Sequence, residues 1–265
     1  MNLVKRELND NLKGVLTWLT IISSLIVIII ALHPLAVAKM DMMDEMLAQF
    51  PEEMIKAFNL STISFKNILE YFFYEFQFIL VAGSIFAGIL SANIMAKEEN
   101  DKTIQFLYAK PISRIDIISA KIIVVLIYLL IFNLVMFTIT AIAMTLISDQ
   151  TINYLLLANI FAGQLIIQIT FANLGILIAV LLPKVKAASA IISGFIIVTF
   201  ILGIISKIAD KVANLHYLSF IDYLLNDKFM DLGRMDFKYI IILAIIFIGS
   251  VIGAILKYRK KSFII

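Results

Sequence analysis

KEENDKTIQFLYAKPISRIDIISAK, residues 97–121, carries nine charged side chains and is bordered on both sides by long runs that carry none. Its reading decides the fold, because a charged segment between two lipid-seeking stretches marks where the chain has left one span and not yet entered the next. Runs without Asp, Glu, Lys or Arg cover 14–38, 76–96, 122–148, 150–183, 187–206 and 239–256. A helix needs roughly 20 largely apolar residues to cross a bilayer. The six runs therefore predict six transmembrane helices, which puts both termini on the same side.

Composition supports lipid as the solvent. The 265 residues are 62% hydrophobic and 15% charged, with a mean hydropathy of +1.01, whereas a soluble domain is about one quarter charged. The absence of cysteine excludes disulfides and thiolate ligands. A net charge of only +3 on so apolar a chain points away from nucleic acid as a partner. The distribution of charge says more than its total. The side bearing the termini holds 14 Lys and Arg against 8 on the other, and 6 Asp and Glu against 13, for local nets of +8 and −5. Lys and Arg accumulate on the cytoplasmic side of membrane proteins. The expected fold is thus an all-α integral membrane protein, one domain over 1–265, with six transmembrane helices and both termini cytoplasmic. The first apolar run exceeds a signal-peptide core in length and reads as a retained span.

The segments between spans carry their own patterns. In VKRELNDNLKGVLTWLT (4–20), Leu8, Leu12, Val15, Leu16 and Leu19 recur at helical spacing. That predicts an N-terminal interfacial helix with Trp18 near the headgroups, the simpler alternative being a charged leader that only orients the first span. The outer segment 39–75 is acidic and contains Met40, Met42, Met43, Met46 and Met54. Without His or Cys beside them, these methionines read as filler of helical surfaces, and no metal is expected. NLHYLSFIDYLL (214–225) is too short to span and predicts an interfacial or re-entrant helix, with His216 as one of its aromatics.

No phosphate-cradling GxxxxGK[ST] and no HExxH occurs, so neither nucleotide hydrolysis nor zinc chemistry is expected of this chain. No ionisable residue stands near the middle of a span, which disfavours a proton or ion pathway. Polar amides do occur there. Gln164 and Gln168 are four apart and share a helix face, with Asn159 and Asn173 in the same span. Gln164, Gln168 and Asn173 read either as the lining of a translocation path or as interhelical hydrogen-bonding groups. Gly83, Ala87 and Ser91, and next to them Ser84, Gly88 and Ala92, form small-residue rows in the second span; Ala190 and Gly194 add to this in the fifth. Such rows favour close helix contact, within the fold or across a dimer.

The stretch 97–121 has internal order. Ile104, Leu107 and Tyr108 share a helical face with Phe106 beside it, and Glu98 and Lys102 are spaced as an i,i+4 pair. Pro111 ends that helix, and Ser113 with Asp116 fits a capping box that starts the next. The expectation is a cytoplasmic coupling helix over Lys97–Ala109, a turn over Lys110–Ser113, and a lever over Arg114–Lys121 into the third span. Setting topology requires only Lys and Arg. The apolar face, the proline turn and the cap read as a docking surface for a cytoplasmic partner.

In these residues the chain resembles the ABC-2-type permeases, the membrane subunits of ATP-binding-cassette exporters. E-x-x-x-K-T-I-Q-F-L-Y-A-K-P-I-S-R-x-x-I-x-x-A-K matches their loop between the second and third spans. KRELxxNLK (5–13) and YLSFIDYLL (217–225) extend the likeness, although many relatives have Ser-Pro where this chain has Ser219-Phe220. The resemblance implies coupling to an ABC ATP-binding subunit through Glu98, Glu99, Thr103, Phe106, Leu107, Pro111, Ser113, Arg114 and Lys121. It also implies a second permease copy or paralogue as homo- or heterodimer partner, and ATP and Mg bound by the partner ATPase rather than by this chain. The setting it implies is the cell membrane of a prokaryote. The apolar spans suit an amphipathic or hydrophobic cargo, antimicrobial peptides being among those the family exports. An ion-coupled secondary carrier and a non-transporting membrane immunity or anchor protein are the competing readings.

Overall fold

Six helices, each overlapping one of the charge-free runs, are long and apolar enough to cross a membrane in the computed structural model. They are α1 (Asn2–Ala38), α2 (Ile68–Asn100), α3 (Arg114–Ile147), α4 (Tyr154–Leu181), α5 (Ala188–Ile208) and α6 (Phe237–Lys260). The structure describes residues 2–40, 49–51, 54–55, 66–104, 112–182, 185–208, 210–226 and 228–261, and no strand occurs among them.

Side-chain caps set several helix starts. Asn67 accepts from the amides of Leu69 and Glu70 ahead of α2, Asn153 from Leu156 ahead of α4, and Asp236 from Lys238 ahead of α6. Ser113 and Asp116 form the expected capping box at α3. Each such cap is worth about 1 kcal/mol. Because Asn67 stops the chain short of Ile68, α2 begins ahead of its charge-free run and carries Glu70 and Glu75 on its first turns.

α2 and α4 form the middle of the bundle, with 67% and 61% of their apolar windows buried, against 22% to 39% for the others. The small-residue rows explain how the two helices approach. A Cβ at Gly175 would lie 2.4 Å from Ser91 Oγ and 2.9 Å from the Gly88 carbonyl oxygen, so only glycine lets the α4 backbone sit there. On the next row Gly88 meets Ile192 of α5, whereas Gly194 faces away from the protein. The rows of α2 thus serve contact within the fold.

At 1.5 Å per residue, the 37, 33 and 34 residues of α1, α2 and α3 give helices of about 50–55 Å, well beyond the roughly 30 Å of bilayer hydrocarbon. α1 and α3 run past their charge-free stretches at the end bearing the termini, and α2 mainly at the other, where it carries Glu70 and Glu75. Residues 4–20 differ from the expected separate surface helix, since they continue α1 without a break. Contacts hold them to the bundle: Tyr128 Oη donates to the Leu8 carbonyl oxygen, and Arg6 reaches Glu98.

At the opposite end, 214–225, expected as an interfacial or re-entrant helix, is helical only in part. A 3-10 helix over Asp210–Leu218 gives way to turns through 226. At the first turn both the carbonyl and the hydroxyl of Ser219 accept from the Asp222 amide. Asp222 is pinned by Lys207 at 2.6 Å, and Tyr223 and Leu224 are fully buried. Leu224 fits against Gly163 of α4. A short helix, Lys228–Leu232, follows and closes at Gly233, whose φ of 65° suits glycine. The Gly233 carbonyl accepts from Asn159 Nδ2 at 2.7 Å.

Candidate functional site

Charged side chains from distant parts of the sequence converge at the end bearing the termini. Lys121, on the second turn of α3, is fully buried. Its Nζ lies 2.7 Å from Glu98 Oε2 on α2 and 3.9 Å from Glu7 Oε1 on α1, and it donates to the Ile94 carbonyl oxygen. Arg6 bridges the two acids from outside, 3.2 Å from Glu98 Oε1 and 3.1 Å from Glu7 Oε1. Glu7 is buried as well, with one carboxylate oxygen unpartnered. Two cations face two anions, so the cluster is neutral and survives burial that isolated charges would not.

A second set of contacts ties α6 to the same end. Arg114 Nη1 donates to the carbonyl oxygens of Tyr258, Arg259 and Lys261 at 3.3, 3.0 and 2.8 Å. A cation there also meets the negative end of the α6 dipole. Lys261 Nζ reaches Glu99 Oε1 at 2.7 Å and the Ala179 carbonyl oxygen at 3.3 Å. Lys97 pairs with Asp10 at 2.5 Å. Five of the spanning helices are therefore joined through polar contacts at one end.

Four residues expected to open the coupling helix belong to α2, which runs to Asn100. It closes in a Schellman motif: the Thr103 amide donates to Glu98 O and the Lys102 amide to Glu99 O, with Lys102 at φ 56°. Lys102 is thereby carried off the helix, and Glu98 pairs with Arg6 and Lys121 instead of with it. Of the residues attributed to coupling, Glu98, Glu99, Thr103, Ser113, Arg114 and Lys121 are brought together at this end. Phe106, Leu107 and Pro111, along with Tyr108, lie outside the described residues, as do Met42, Met43 and Met46. The sequence reading missed Arg6, Glu7, Asp10 and Lys261 as partners. The KRE of 5–7 was counted for topology, and nothing local signals contacts that span 82 to 162 residues.

The amides of α4 point into the bundle. Asn133 of α3 donates from Nδ2 to Gln168 Oε1 at 2.6 Å and to its own Leu129 carbonyl oxygen at 2.8 Å. Gln164 and Gln168 are fully buried, and both Nε2 atoms of that face approach Gly83: a Cβ there would lie 2.5 Å from Gln168 Nε2 and 3.3 Å from Gln164 Nε2. Asn173 Nδ2 donates to its own helix at Ile169 O, 2.8 Å away. Gln168 therefore makes an interhelical bond, Gln164 makes none, and Asn133 joins the group. Asn133 was legible as the one amide in α3.

Among the described residues no group of His, Cys, Asp or Glu is arranged to hold a metal ion. Six apolar helices, five of them joined by polar contacts at one end, with buried amides between α3 and α4, define a multi-pass membrane protein. The particular class follows from comparison: residues 1–262 match the ABC-2 family transporter protein model, and the chain belongs to that family. No curated protein and no solved structure matches it.

Proposed function

We propose that this chain, acting as one domain over 1–265, is the transmembrane permease subunit of an ABC exporter. It moves an amphipathic or hydrophobic substrate, antimicrobial peptides among the candidates, using ATP hydrolysed by a separate nucleotide-binding subunit that also holds the Mg. The termini face the cytoplasm of a prokaryote, and two copies, or this chain and a paralogue, form the pathway. The observation that carries the reading is the ionic base at the loop between α2 and α3 in a chain matched over 262 residues by the family.

Coupling divides into contact and transmission. The apolar residues Phe106, Leu107 and Pro111 meet the ATPase, while Glu98, Lys121, Glu99 and Arg114 carry its movement inward, since burial keeps Lys121 and Glu98 from touching a partner. Closure of the ATPase shifts a two-state equilibrium of the helices. That no Asp, Glu, Lys or Arg stands within the six charge-free runs supports this over an ion-coupled carrier, which needs ionisable groups along its path.

The test is reconstitution with the candidate ATPase subunit. Substrate-stimulated ATPase activity and ATP-dependent efflux from proteoliposomes are expected, with Phe106→Ala lowering complex formation and Arg114→Ala lowering coupled ATPase activity. Transport in the absence of any ATPase subunit, or Phe106→Ala and Arg114→Ala complexes that assemble and couple normally, would refute it.

A further inference from the structure

The junction of α2, α3 and α4 holds polar atoms that the protein itself leaves unmatched. Gln164 Nε2 and Oε1, Gln168 Nε2 and Asn133 Oδ1 have no hydrogen-bond partner, and all three side chains are at most 5% exposed. Buried amides without partners are costly, and natural interiors rarely keep them.

The chemistry of the set selects its ligand. A cation requires acceptors alone and an anion donors alone, while an apolar group would satisfy none of these atoms. Here amide N–H donors and carbonyl acceptors lie together without formal charge, which matches a neutral group that both donates and accepts. The side chains are closed off from outside, which restricts the ligand to the smallest such molecule. We propose that the α2–α3–α4 junction is an internal hydration site, in which water bridges Gln164, Gln168 and Asn133 beneath Gly83. This deepens the transport reading and rests on it: a hydrated layer lets amides exchange protein partners for water as α2 and α4 separate, so it marks where the bundle parts. A buried water with several polar partners is part of a structure and costly to remove.

Because the chain has no cysteine, a single thiol can report on this site. The full-length Ala87→Cys protein in lipid nanodiscs, with its thiol one turn from Gly83 on the row that faces α4, is exposed to X-ray-generated hydroxyl radicals, which form from water in place, and thiol oxidation is read by mass spectrometry. Ala92→Cys, on the neighbouring row of the same helix and equally buried, is the control. Ala87→Cys is expected to oxidise several-fold faster than Ala92→Cys, and the excess to vanish when Gln164→Leu and Gln168→Leu are added. Equal rates overturn the proposal. Gln164→Leu alone gives a second reading that needs no thiol. If water satisfies the amide, its removal strands Gln168 and Asn133 and lowers the thermal midpoint; a raised midpoint means a dry, unpaired amide and also overturns the proposal. Neither measurement involves the ATPase subunit, so failure here leaves the coupling reading untouched, and failure of coupling leaves the hydration result standing.

Discussion

Replacing Lys121 with methionine keeps the length and burial of the side chain and removes its charge. In the structure Nζ holds Glu98 Oε2 at 2.7 Å and donates to the Ile94 carbonyl oxygen, at a position with no exposure. Without it Glu98 retains only Arg6, at 3.2 Å on a side chain that is 42% exposed. Removing one partner of a buried ion pair costs about 3–5 kcal/mol, because the other charge is left stranded. Arg6 offsets part of that, which sets the expectation near the low end, about 3 kcal/mol. For a chain of this size that corresponds to a fall in thermal midpoint of about 6–9 °C. Adding Glu98→Gln removes the stranded charge, so the double variant recovers stability, with a coupling energy on the order of 1–3 kcal/mol. The assay is thermal unfolding of the detergent-purified chain followed by the fluorescence of its single tryptophan, Trp18, whose ring lies 5.8 Å from that of Phe86 in the core. A loss below about 1 kcal/mol, or single effects that simply add, would show that Glu98 and Lys121 do not stabilise each other.

Close packing between α2 and α4 ranks two glycines. Gly175→Ala drives a methyl onto the Gly88 backbone and should cost about 1–3 kcal/mol, whereas Gly83→Ala meets the movable amide ends of Gln168 and Gln164 and should cost less; thermal midpoints of the two variants check the order. Lys102→Gly relieves a left-handed residue in the Schellman motif, φ 56°, and should raise stability by up to about 1 kcal/mol, read from the same melts. Burial, followed by the neighbouring Tyr239 and Tyr217, pushes the Tyr223 hydroxyl from 10.0 up to about 12. The folded state thus binds that proton more tightly, so the stabilisation is complete below pH 10.0 and is lost as pH rises toward about 12. Tyr223→Phe should flatten that alkaline decline in a pH series of melts.

The spans were legible because charge is expensive in hydrocarbon, so charge-free runs reveal where the chain is immersed. Their ends were less so. Glu70 and Glu75 interrupt the apolar pattern without interrupting α2, whose start is fixed by Asn67. The capping box at Ser113 was readable because both partners sit within four residues. NLHYLSFIDYLL was read as a helix from its length and aromatic content, which say nothing of the turn at Ser219–Asp222 or of the tether to Lys207. In the candidate site, residue types and positions were visible but their pairing was not. Nothing in KRE at 5–7 says that Glu7 turns inward while Arg6 bridges to Glu98. Gln164 and Gln168 were identifiable as a shared face, yet only the fold separates the bonded amide from the unbonded one.

The ionic base changes how the stretch 97–121 relates to the bundle. Glu98 and Lys121 stand on either side of the loop and are joined at 2.7 Å, so the loop is closed at its root and α2 and α3 are fastened to each other there. Arg6 adds α1 to the same pair. Glu99, one residue further along α2, holds Lys261, and Arg114 holds the end of α6. The contacts thus tie the flanks of the loop to α1, α2 and α3 through one cluster and to α6 through the other. If the two clusters act as separate linkages, Arg114→Ala should loosen the end of α6, seen as faster amide exchange over 255–261, and leave exchange at the ends of α1 and α2 unchanged. If they act as one, protection would fall at all of these ends together, and the division between the two linkages would be wrong.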